Sequence, residues 1–169
     1  MNIFNTLFIL TLILFFNACS SNTSNSVKKE TEKFFGVSLE EPFNEEGFTL
    51  TRIENDEKYY EKNISYENLV RVWLFTNKEN KVQRITAVSK ELNQFEDPYS
   101  LASPLLQIIS QKYGQPTCVQ NSIPFFGKVG ESCVIYYKEK YKIELKVSNL
   151  MNQGSFFLII ENIDKNGEL

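Results

Sequence analysis

The sequence predicts an α+β fold: an antiparallel β-sheet with one principal helix packed on one face. Three observations carry this. In Tyr141-Lys142-Ile143-Glu144-Leu145-Lys146-Val147 every second residue is apolar and every other one charged, the period of a strand with one wet face and one core face. Between Ser103-Pro104 and Gly114, Leu105, Ile109 and Tyr113 recur at i, i+4 and i+8, which puts them on one side of a helix. Strand signals cluster before and after that helix instead of alternating with helices, which favours an antiparallel sheet. With 42% hydrophobic residues among 169, the chain can fill one core and is too short for two sizeable ones.

Residues 3–16 are an Ile, Leu and Phe run interrupted only by Asn5, Thr6 and Thr11, and followed by the small and polar Asn17, Ala18, Cys19, Ser20 and Ser21. At about 1.5 Å per helical residue the run reaches roughly 21 Å, short of a hydrocarbon thickness of about 30 Å. It therefore suits a signal-peptide core better than a span. Phe16-Asn17-Ala18-Cys19 resembles the lipobox of bacterial lipoproteins. The resemblance covers only about the first twenty residues. It implies that residues 1–18 are a signal peptide cut before Cys19, whose thiol carries a diacylglyceryl group and whose mature end carries acyl chains such as palmitate. At about 0.8 kcal/mol per buried methylene, two or three chains hold a protein firmly on a membrane. Ser20 resembles the residue that lets a lipoprotein proceed to the outer membrane. The expected location is thus the cell envelope, facing the periplasm. Residues 20–26 contain no apolar side chain, so 19–26 should act as a flexible tether.

Residues 27–169 form the expected single domain. The stretch 27–35 suggests a short helix closed by Gly36. Phe48 and Leu50 alternate with Thr49 and Thr51 until Arg52-Ile53 breaks the pattern, and 59–66 returns across a polar turn at Asn55-Asp56. Residues 69–75 are apolar enough for a central strand, and Asn77-Lys78-Glu79-Asn80 turns them into 81–89. The helix is bounded by Ser103 as N-cap, Pro104 in the first turn, and Gly114 with Pro116 as a stop. Strand 131–137 pairs with 141–147 through Lys138-Glu139-Lys140. That three-residue loop sets Tyr137, Ile135 and Cys133 opposite Tyr141, Ile143 and Leu145, whereas a two-residue loop would turn Ile135 outward. The run 156–160 after Gly154 reads as a final strand buried on both faces.

Apart from Cys19 there are two cysteines, Cys118 and Cys133, equally far from the midpoint of a hairpin centred on Phe125-Phe126. Facing each other in an exported domain, they suit a disulfide. The alternative is a reduced pair acting as small hydrophobes.

The sequence contains no histidine, which removes Ser-His and Cys-His nucleophile pairs and the commonest metal ligand. No metal, cofactor or catalytic residue is expected. Glycosidase-type chemistry needs only two carboxylates, so Glu40-Glu41, Glu45-Glu46 and Glu96-Asp97 are candidates, although loop positions favour solvated surface. Asp164-Lys165-Asn166-Gly167-Glu168 lacks the later ligands of a calcium loop and suits a surface turn. With a net charge of −3 and interspersed Lys and Glu, a nucleic-acid partner is not expected. A speculative binding surface remains at Phe125, Phe126 and Lys128, where a hairpin tip either offers anchors to a protein or folds its rings into the core. The expectation is a non-enzymatic lipoprotein that meets the membrane through its anchor and binds another envelope protein as an assembly accessory, inhibitor or immunity factor. The alternatives are a small carboxylate-dependent hydrolase of envelope material, or a carrier of an apolar small molecule.

Replacing Cys19 by Ala is expected to abolish acylation and to move the protein into the soluble fraction or stall it as precursor. Intact mass spectrometry of membrane-extracted protein checks this directly: a native mass retaining residues 1–18 with an unmodified Cys19 would refute it.

Overall fold

The computed structural model describes residues 31–125, 127–150 and 153–163, all within one compact unit, Thr31–Leu169. The predicted signal peptide, Cys19 and the tether lie outside the described residues. So do Phe126 and the turn at 164–168.

A two-stranded hairpin comes first, β1 (Lys33–Phe34) with β2 (Val37–Ser38). The helix expected over 27–35 is not found in its described part. Phe35 and Gly36 instead take φ of +53° and +81°, a two-residue turn that joins strands. The main sheet has eight strands: β3 (Thr49–Glu54), β4 (Glu57–Tyr66), β5 (Leu69–Thr76), β6 (Val82–Ser89), β7 (Thr117–Ile123), β8 (Gly127–Tyr137), β9 (Tyr141–Leu150) and β10 (Gln153–Asn162). Their spatial order is β3-β4-β5-β6-β10-β9-β8-β7, and every pairing is antiparallel. Two four-stranded meanders thus meet where β10 pairs β6, and helix α1 (Pro98–Tyr113) carries the chain from β6 to the far edge. Turn chemistry explains the meanders: Asn55-Asp56 and Glu67-Asn68 adopt positive φ, as two-residue hairpins demand.

Register aligns the core into rows. Tyr60, Leu74, Ile85, Ile160, Ile143 and Ile135 are successive cross-strand partners over six strands, and all are buried. A second buried row, Val72, Ala87, Leu158, Leu145 and Cys133, ends at Cys118 on β7. Tyr137 does oppose Tyr141, Ile135 Ile143, and Cys133 Leu145, the register of the three-residue loop. The break expected at Arg52-Ile53 is a β-bulge: Leu50 pairs Tyr60 and Arg52 pairs Tyr59, which leaves Thr51 unpaired. The last strand departs from expectation. Phe156, Leu158 and Ile160 are buried, but Phe157 and Ile159 point to the other face and are only half-buried.

The helix also begins earlier than Ser103. Asp97 is the N-cap, accepting from the Tyr99 and Ser100 N–H groups, and Pro98 fills the first turn. Pro104 consequently lies inside the helix, where it lacks a backbone N–H to donate. Asp97-Pro98 is the same kind of start signal as Ser103-Pro104, and it wins because Pro98 packs into the sheet. Ala102, Leu105 and Ile109 join the core, and the helix touches β8, β9 and β10. At its start Pro98 lies over Gly154 of β10, where an added Cβ would come within 3.0 Å of the proline ring.

Gly154→Ala is expected to cost about 1–3 kcal/mol, because a stiff pyrrolidine cannot yield to the methyl group. Chemical denaturation against the parent measures it, and an unchanged midpoint would show that helix and strand are not held this closely.

Candidate protein-binding surface

Strand alternation that buries one row exposes the next. Tyr60 and Leu74 point into the core, so Tyr59, Trp73 and Phe75 point out. Register then builds an outer row of cross-strand partners: Arg52, Tyr59, Phe75, Arg84, Glu161, Lys142 and Tyr136. Its members engage one another. The Arg52 guanidinium lies 4.1 Å from the Tyr59 ring centre, Tyr59 meets Phe75 edge-on at 4.6 Å, and Arg84 sits 5.6 Å over Phe75. Arg84 Nε pairs with Glu161 Oε1 at 2.5 Å, and Lys142 Nζ lies 3.9 Å from Glu161 Oε2 and 2.9 Å from Glu144 Oε2. Glu144 is held below the ordinary carboxylate range: burial pushes it up, but the Ser132 hydroxyl and Lys142 more than compensate. Beside this row runs Glu61, Trp73, Thr86, Ile159 and Glu144. Trp73 keeps 36% of its surface exposed, and an open hollow of about 310 Å³ lies among Arg52, Tyr59, Trp73 and Phe75. Aromatic rings held by their neighbours and edged by charge are a surface on which a protein partner gains contact at little ordering cost.

The residues singled out from sequence fare differently. Cys118 and Cys133 are joined, with S–S 2.10 Å, and face each other directly in the β7–β8 ladder. Phe125 stands fully exposed at the tip of that hairpin with φ +70°. Lys128 Nζ lies 3.9 Å from the Tyr99 ring centre and 3.1 Å from Glu131 Oε2. Tyr99 rises above the usual phenol range through burial and the nearby Glu131 and Asp97 charges.

The loop carboxylates serve as fasteners. Glu40 accepts from the Tyr141 hydroxyl and pairs with Lys140, and Glu41 accepts from the Thr31 hydroxyl. Glu45 accepts from the Tyr60 hydroxyl, with Lys58 Nζ at 3.7 Å. Glu32 lies between Lys112 and Lys138, at 3.0 and 3.6 Å; burial raises its pKa, but the two ammonium groups bring it below the ordinary value. Glu96 is lowered by the Lys90 ammonium first and then by the Asn93 N–H. Asp97 is lowered chiefly by the Ser100 hydroxyl. These contacts tie residues 31–48 down, with Phe34 and Phe43 packing on Tyr141 and Tyr60. Glu41 and Glu46 do line an open hollow of about 510 Å³, but share it with Lys33 and Lys62. Among the described residues no group of three or more His, Cys, Asp or Glu is placed to hold a metal, and no helix is long and apolar enough to cross a membrane. Comparison with known protein families, curated proteins and solved structures finds no match.

The sequence places 59–66 and 69–75 in strands but gives no sign that Tyr59 and Trp73 lie beside Phe75 and Arg84. The available signal was the alternation of Val72-Trp73-Leu74-Phe75, in which burying one pair must expose the other.

The two clamped tyrosines give a pH signature. Burial, then the Glu45 hydrogen bond and charge, push Tyr60 up to about 12, and burial followed by Glu40 raises Tyr141. The folded state therefore keeps protons that an unfolded tyrosine releases near pH 10. The associated stability is complete below pH 10 and falls as pH climbs toward 12. Converting both tyrosines to Phe should cost about 1 kcal/mol each at neutral pH and flatten that alkaline decline. An unaltered decline in urea titrations from pH 8 to about pH 12 would remove the clamps from the account.

Proposed function

We propose that this chain is a lipid-anchored bacterial envelope protein, held through Cys19, whose domain binds another envelope protein through the outer face of its sheet without catalysing a reaction. The observation that carries the binding reading is the outer row from Arg52 to Tyr136, with Trp73 beside it. On this reading α1 covers the core face of the sheet, and the opposite face is left for a partner. Rings of Tyr59 and Phe75, already fixed by Arg52 and Arg84, lose little freedom when covered. Two features favour binding over chemistry: the sequence has no histidine, and of the carboxylates considered for hydrolysis Glu40, Glu41, Glu45 and Glu96 are engaged with Lys140, Tyr141, Thr31, Tyr60, Lys58 and Lys90. The anchor reading rests on Phe16-Asn17-Ala18-Cys19 after a short apolar run. Residues 19–26 would then let the outer face reach a partner away from the bilayer.

The test is affinity capture from detergent-solubilised envelope with the full chain as bait. Trp73→Ala with Phe75→Ala should weaken capture of the specific partner by about 2 kcal/mol, roughly thirtyfold. Substitution of the loop acids Glu41 and Glu46 by Gln should leave it unchanged. Equal capture by parent and aromatic variant would take the outer face out of the function.

A further inference from the structure

The main sheet is open, so it has two edge strands, and they are treated differently. β3 carries Arg52 and Glu54 and is bent by a bulge between Leu50 and Arg52, devices that discourage pairing with another chain. β7, Thr-Cys-Val-Gln-Asn-Ser-Ile, has no charged residue, no proline and no glycine, and every one of its residues is exposed. The nearest charges on β8, Lys128 and Glu131, pair with each other at 3.1 Å, and Gln120 Nε2 donates to Glu131.

The disulfide tells which backbone groups are free. Cys118 and Cys133 have Cα atoms 4.0 Å apart, the close approach of a non-hydrogen-bonded antiparallel pair. The N–H and C=O of Cys118 consequently point away from β8, and alternation gives the same direction to Gln120; it continues to Ser122 past a bulge between Asn121 and Ser122, because the extra residue there, Val129, belongs to β8 and leaves the β7 backbone uninterrupted. The next positions in that series are Pro116 and Pro124, one at each end of the strand and equally distant from Gln120. Proline has no N–H, so both close the outward ladder at the places where it would otherwise continue.

We infer that β7 pairs with β7 of a second copy of this chain, antiparallel, on a two-fold axis through Gln120. In this register Gln120 opposes Gln120 of the second copy and Cys118 opposes Ser122, so every outward N–H meets an outward carbonyl. Proline falls opposite proline, beyond the ladder. Shifting the axis to Val119 or Asn121 would set a proline against Ser122 or Cys118 and lose bonds. On the outer face the axis brings Val119 (61% exposed) diagonally beside Val119 and Ile123 of the second copy, an apolar cluster that single copies leave in water. No like charges oppose each other, which is why a second copy fits this edge better than a charged segment of another protein. The symmetry is isologous and closes at two copies.

Sedimentation velocity of the full chain in density-matched detergent tests the pairing. The parent should show a concentration-dependent dimer. Gln120→Pro removes the donor on the axis without touching a β7–β8 backbone bond, giving up only the exposed side-chain contact of Gln120 Nε2 with Glu131, and should weaken dimerisation tenfold or more with the thermal midpoint shifted by no more than in Gln120→Ala. Gln120→Lys should do the same by setting two ammonium groups opposite each other, and Trp73→Ala should have no effect. A parent that stays monomeric at its highest soluble concentration, or a dimer that survives both substitutions at Gln120, would overturn the inference. So would a monomer whose β7 captures a strand of a different protein in a manner lost in Gln120→Pro.

Discussion

The structure depends on one long-range seam, the pairing of β6 with β10. Each meander is built from neighbours in sequence, and its hairpins form locally. The seam joins Ile85 to Ile160 and Arg84 to Glu161, across the helix and three strands of intervening chain. Closing so large a loop costs entropy before any contact repays it. What repays it is alignment on both faces at once. On the core side Ile85 and Ile160 complete a buried row, and the Ser89 hydroxyl accepts from the Phe156 N–H at 3.2 Å. On the other side Arg84 and Glu161 form their ion pair. A slip of one residue would turn Glu161 into the core and Ile160 out, so both faces enforce one register.

That seam marks the limit of what sequence could show. Hairpins were legible, because turn chemistry and alternation act over a few residues. The Lys138-Glu139-Lys140 loop was fixed by asking which register keeps Ile135 inside, and the disulfide followed from the symmetry of the preceding hairpin, centred on Phe125-Phe126. Where two local signals competed, local reasoning had no means to choose. Ser103-Pro104 and Asp97-Pro98 both announce a helix start, and the choice is made by a tertiary contact, Pro98 on Gly154. The stretch before Gly36 fails similarly. Its phenylalanines suit a helix face, yet Phe34 is placed by Tyr141 and Tyr113, residues far along the chain.

The candidate surface was hidden for the same reason. Arg52, Tyr59, Phe75, Arg84 and Glu161 come from β3, β4, β5, β6 and β10, and no spacing in the sequence announces them as a row. Phe125 was conspicuous because two aromatics at a hairpin tip violate a local expectation. Lys128 was grouped with it by proximity in sequence, which could not show that its ammonium is also held by Tyr99 and Glu131. The loop acids illustrate the converse. Adjacent carboxylates suggest chemistry on paper, while here each engaged member finds a hydroxyl, a backbone N–H or an ammonium and spends its charge fastening residues 31–48 or capping α1.

The far edge poses a different problem, which the chain solves covalently. β7 buries none of its residues, so little apolar area holds it to β8. The core row that runs through Ala87, Leu158 and Leu145 stops at Cys133, and the next step outward is the bond to Cys118. Closing a loop of about fifteen residues contributes roughly 3 kcal/mol in the chain-entropy view, comparable to burying one large side chain. The disulfide thus does at the rim what Ile135 and Leu145 do inside. It also keeps the strand extended with its outward groups already aligned, so a chain that pairs there need not order it first. An edge held by a core would have needed buried apolar side chains on one face; an edge held by sulfur is free to be uncharged and fully exposed, as β7 is.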